Sequence, residues 1–130
     1  LSPQAKAIAA LASLQAENLT AYEYALKISA ILRSYLEEAF GLRAVSATSL
    51  EFLENIRNHP LFTSEERASL REFLELADLI KFARVEASSQ ELQKLFQAAE
   101  TFVRKPLFVS AEKEAVRSQL QTHPTTVAKT

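Results

Sequence analysis

A chain of 130 residues with 48% hydrophobic and 24% charged side chains has the balance of one globular domain, large enough to bury a core without a metal or disulfide staple. The absence of cysteine excludes disulfides, thiolate nucleophiles and cysteine zinc sites, and 15 basic against 16 acidic residues (net −1) give no global field to draw nucleic acid or an anionic membrane. One glycine and four prolines are too few turn residues for many short strands, which leaves an all-α fold.

The first helix starts at Ser2, with Pro3 at the first helical position. Four capping boxes, a hydroxyl followed three residues later by glutamate, mark four further starts: Thr20/Glu23, Thr48/Glu51, Thr63/Glu66 and Ser88/Glu91. The second helix is predicted over 21–40, with Tyr24, Ala25, Ile28, Ile31, Leu32, Tyr35, Leu36 and Ala39 on one face. Gly41, the only glycine, follows as a left-handed cap, with Leu42 making the accompanying apolar contact. A shorter third helix is predicted over 49–58, turning Leu50, Leu53 and Ile56 inward and stopping before Pro60, after which Leu61 and Phe62 anchor the loop.

The fourth helix, 64–83, carries Leu70, Phe73, Leu74, Ala77 and Ile80 as its inward stripe. The fifth, 89–105, turns Leu92, Leu95, Phe96, Ala99, Phe102 and Val103 inward and ends at Pro106. Beyond the helical domain of 1–106, Ser110 offers a start for a short sixth helix over 111–121, thin in apolar residues, and "THPTTVAKT" reads as a mobile tail. The capping boxes do not recur at a fixed period, so the expectation is one compact bundle of five main helices rather than a solenoid.

The last turn of the fourth helix is unusual. Lys81 falls within the inward stripe and Asp78 borders it, while Leu79 and Phe82 point away from it, toward the side that Arg71, Glu72 and Glu75 mark as solvent-facing. Lys81 can run its methylenes over the core and pair with Asp78 while the chain returning through Val85 covers Leu79 and Phe82. Alternatively Leu79 and Phe82 form an exposed apolar patch rimmed by charge, as on a partner-binding surface. Arg33 and Glu37, one turn apart on the outward side of the second helix, can pair with each other, or Arg33 can reach across to Asp78.

Other chemistries find little support. His59 and His123 stand in a pre-proline turn and in the tail, without a second ligand at zinc-like spacing. Phosphate loops need glycines the chain lacks, and no Gly-x-Ser-x-Gly elbow is present. Glu37/Glu38 and Glu65/Glu66 are adjacent in sequence, so on a helix they diverge by about 100°. Tyr24 and Tyr35 read as core residues with exposed hydroxyls rather than stacking platforms, and only the mildly basic segment from Arg104 onward keeps nucleic acid as a runner-up partner. The longest apolar run, 7–12, is far short of the roughly 18 residues of a membrane span, and no signal peptide opens the chain. The sequence therefore reads as a soluble piece, and its start at Leu1 without any methionine reads as a part of a longer protein.

Two blocks, "LRSYLEEAFGLRAVSATSLEFL" (32–53) and "LREFLELADLIKFA" (70–83), resemble the cytosolic helical domain of bacterial membrane-anchored BatD-like proteins encoded beside MoxR-type AAA+ ATPases and von Willebrand factor A proteins. The resemblance runs from about residue 20 to 106, and rests on Arg33-x-Tyr35-Leu36-Glu37 ending in Phe40-Gly41, on Thr48, and on Asp78-Leu79-Ile80-Lys81-Phe82-Ala83. It implies a transmembrane segment upstream of Leu1, a location on the cytoplasmic face of the inner membrane, and a scaffold or adaptor that contacts the ATPase or the von Willebrand factor A protein. It carries over no catalytic residue, cofactor or metal. The resulting expectation is a non-catalytic protein-interaction module with Asp78, Leu79, Lys81, Phe82, Arg33 and Glu37 as candidate partner-binding residues. A helical nucleic-acid-binding or transcription-linked domain is the alternative and a small helical hydrolase or transferase the third reading.

Overall fold

The computed structural model describes residues 1–83 and 86–104. Within them lie five α-helices and no strand: α1 (Pro3–Ala16), α2 (Ala21–Phe40), α3 (Ser49–Ile56), α4 (Ser64–Ala83) and α5 (Ser89–Arg104). The all-α bundle expected from the sequence is therefore the fold. The stop at Pro106, the sixth helix over 111–121 with its tail, the cover by Val85, and His123 lie outside the described residues.

Each helix begins where its side chains satisfy the orphan amides of the first turn. Ser2 Oγ accepts from the Ala5 amide at 3.0 Å. Thr20, Thr48, Thr63 and Ser88 accept from the amide three residues on at 3.1–3.2 Å. Glu23, Glu51, Glu66 and Glu91 return to accept from the cap amides at 2.8–3.0 Å. α2 ends at Gly41, whose φ of 69° places it in the left-handed region and whose amide donates to the Glu37 carbonyl at 2.9 Å. A Cβ added there meets nothing within 4 Å, so Gly41→Ala is expected to cost only the backbone strain, about 1 kcal/mol. Urea denaturation should show the lower midpoint with an unchanged m-value; an unchanged midpoint would remove the strain account.

α2 is the central element, packing against α1, α4 and α5, while α5 also touches α1 and α4 to close the bundle. Its buried face is Ala25, Ile28, Leu32, Tyr35 and Leu36. α4 contributes Leu70, Phe73, Leu74, Ala77 and Ile80, the stripe read from the sequence. α5 contributes Leu95, Phe96, Ala99, Phe102 and Val103, with Leu92 half-buried at the margin. The two ends of the fold meet: Gln4 Nε2 donates to the Val103 carbonyl at 2.9 Å, joining the first turn of α1 to the last turn of α5. At the opposite end Ile80 of α4 lies with Ala21 and Tyr22 at the start of α2. The Lys6–Glu38 and Lys27–Glu17 ion pairs, at 3.0 and 2.6 Å, lie on the surface and add little stability.

α3 departs from its predicted face. It ends at Ile56 rather than 58, and it buries Phe52 and Ile56, while Leu50 is 73% exposed and Leu53 only half-buried. Among the described helices α3 packs on α4 alone, and that contact selects the stripe through Phe52 and Ile56, four residues apart. The connector to α4 is pinned as expected at Phe62, whose ring meets Phe40 at 5.9 Å and His59 at 5.6 Å between centroids. His59 Nδ1 accepts from the Leu61 amide at 3.2 Å, so this histidine shapes its own turn. Tyr35 also departs from expectation. Its ring stands edge-on to Phe40 and its hydroxyl is buried without a hydrogen-bond partner among the described residues, because α2 is enclosed by three helices. Burial pushes this phenol above its ordinary pKa.

Candidate functional site: the α2–α4 groove

The 41–48 segment is held against α2 by two side chains one turn apart. Glu37 Oε1 accepts from the amides of Ala44 and Val45 at 2.9 and 3.0 Å. Arg33 Nη1 donates to the carbonyls of Ala44 and Ala47 at 2.9 and 2.7 Å, its Nη2 to Ser49 Oγ at 2.6 Å, and its Nε to Ser29 Oγ at 3.3 Å. The pairing expected between Arg33 and Glu37 is therefore absent, because backbone groups of the loop take both side chains. The cross-helix bond to Asp78 is not formed either: burial lowers the Arg33 guanidinium pKa from its ordinary value, and Asp78 opposes that shift only through its field.

Between this clamped loop, α2, the start of α3 and the last turn of α4 lies a groove of about 490 Å³. Its floor holds Ser29, Arg33, Asp78 and Lys81. Lys81 Nζ stands 3.4 Å from Asp78 Oδ1, with the two side chains only 12% and 27% exposed. Asp78 Oδ1 is buried and accepts no hydrogen bond from the described residues, so its contact with Lys81 is an ion pair without hydrogen-bond geometry. The same ammonium lies 5.2 Å from the centroid of the Phe82 ring, within cation–π range. Lys81 thus pairs with Asp78 as one reading of the sequence held, while Phe82 stays 79% exposed. The rim is apolar, formed by Leu26, Val45, Leu50 and Phe82, four of the six large hydrophobic side chains that stand exposed among the described residues.

Of the six candidate residues, the structure gathers Arg33, Asp78, Lys81 and Phe82 in this groove. Glu37 faces the loop behind it, and Leu79 lines a different groove between α4 and α5. Val45 was not singled out by sequence pattern, and Leu50 was read as an inward residue of the third helix, the opposite of its place on this rim. Taking Phe52 and Ile56 as the buried pair of α3 would have turned Leu50 about 200° away from Phe52, onto the open side. No family model, curated protein or solved structure matches the chain.

Glu37 also makes the loop acid-sensitive. The Ala44 and Val45 amides hold its carboxyl below the ordinary value of 4.5. A carboxylate depressed in the folded state contributes fully above its unfolded pKa, and that contribution is lost as pH falls through the folded value. Glu37→Gln is expected to lose less thermal stability than wild type between neutral pH and pH about 3. Parallel melting curves with the same acid sensitivity would rule out this role.

Proposed function

We propose that this domain is a non-catalytic protein-interaction module whose partner docks in the α2–α4 groove. The observation that carries the reading is the rim, where four exposed apolar side chains from four separate segments converge on one concavity. The polar floor is already engaged internally, Arg33 with backbone and hydroxyl oxygens and Lys81 with Asp78, so the groove offers apolar area more than reactive groups. The resemblance to BatD-like proteins extends the proposal to the cytoplasmic part of a membrane-anchored bacterial protein, with a MoxR-type AAA+ ATPase or a von Willebrand factor A protein as partner. No helix of the described residues is itself long and apolar enough to cross a membrane.

The test is a titration of the labelled chain with each purified candidate partner, beside a Leu50→Asp, Phe82→Asp double variant whose helicity is checked by circular dichroism. Both side chains are exposed, so the variant should fold. One partner is expected to bind wild type and to bind the variant at least about tenfold more weakly. Equal binding to the folded variant would remove the groove from the proposal, and binding by neither protein would remove the partner assignment.

A further inference from the structure

The other side of the α4 end carries a second groove, independent of the first. Leu76 and Leu79 of α4 face Leu95 and Ala98 of α5 across a groove of about 430 Å³, with Leu79 half exposed at its lip. The rim is acidic: Glu72, Glu75 and Glu91 stand against Lys94, three carboxylates to one ammonium. Glu72 and Glu75 are exposed and have no ion-pair partner among the described residues. Glu91 gives one oxygen to the Ser88 cap, which leaves its charge in place. The floor of the first groove has the opposite sign, with Arg33 and Lys81 against Asp78.

We infer that the α4–α5 groove docks a basic amphipathic helix from a partner chain. The walls are two packed helices, so a third helix can lay its apolar ridge between them as the bundle's own helices do. Positions 72, 75 and 79 span about 10 Å along α4, matching two turns of an occupant. Its apolar side chains cover Leu76, Leu79 and Ala98, and its lysines or arginines face Glu72, Glu75 and Glu91. Charge complementarity sets the sign of the partner and makes the encounter salt-dependent.

The probe is a fluorescent peptide of a few helical turns with leucine on one face and lysine on the other, compared by anisotropy with a matched leucine–glutamate peptide against the full chain. The lysine peptide is expected to bind at low salt and weaken at high salt. The glutamate peptide, and the lysine peptide on a Glu72→Lys, Glu75→Lys variant, are each expected to bind at least about tenfold more weakly. Leu79→Asp should weaken binding as well, whereas Leu50→Asp, Phe82→Asp should leave it unchanged. Both glutamates are exposed, so circular dichroism should show the charge-reversal variant folded. Equal affinity for the two peptides, no effect of charge reversal, or loss through the Leu50/Phe82 variant would overturn the inference. So would self-association of the chain abolished by Leu79→Asp, which would assign the groove to a second copy.

Discussion

Phe52→Ala is expected to destabilise the domain by about 3–5 kcal/mol, a large share of the 5–15 kcal/mol typical of a domain this size. Phe52 is 1% exposed and, with Ile56 at 0%, supplies the buried face of α3. α3 has 8 residues, too few to stay helical in isolation, and among the described helices it packs on α4 alone. Removing the ring leaves a cavity that an element held at one face can close only by moving. The loss should therefore be local as well as global, with limited proteolysis of the variant cutting first between residues 41 and 63. Urea denaturation gives the size of the effect, and a cost under about 1 kcal/mol would mean that α3 is anchored by something other than Phe52.

The second large effect is expected at Arg33. Arg33→Ala removes donors from the Ala44 and Ala47 carbonyls and from Ser49, at a half-buried site where water replaces them poorly. Charge-assisted bonds of this kind, together with the carbonyls left unpaired, set a cost of roughly 2–4 kcal/mol. Arg33→Lys separates charge from shape. Lysine keeps the positive charge near Asp78 but cannot span three acceptors as a planar fork does, so most of the loss should remain. Full rescue by lysine would show that Arg33 matters through its charge, and the clamp account would fail.

The local signals of this fold were legible because their chemistry is local. A hydroxyl and a glutamate three residues apart need only their own helix turn to form a capping box, and Gly41 needs only its own φ. The faces of α2, α4 and α5 were legible because long helices repeat their apolar spacing over several turns. α3 was not. Leu50, Phe52, Leu53 and Ile56 offer two overlapping stripes within two turns, and the choice between them belongs to α4. Arg33 and Glu37 invited a side-chain pairing because each carries a full charge, whereas their actual partners are backbone amides and carbonyls and two serine hydroxyls that no sequence pattern marks. The groove was only partly legible: Phe82, Asp78 and Lys81 are neighbours in sequence, but Val45 and Leu50 reach them only after the loop has been folded back onto α2.

The bond from Gln4 to Val103 brings the first and last described turns to a single corner of the bundle. Chain entering at α1 and chain leaving at α5 are therefore spliced at neighbouring points, the arrangement that lets a domain be inserted into, or permuted within, a longer polypeptide. The last turn of α4 lies at the other pole, beside the start of the 20-residue α2, whose length places it roughly 30 Å from that corner. A tether at the corner would hold the domain like a knob on a stalk, with the α4 pole turned outward from the point of attachment.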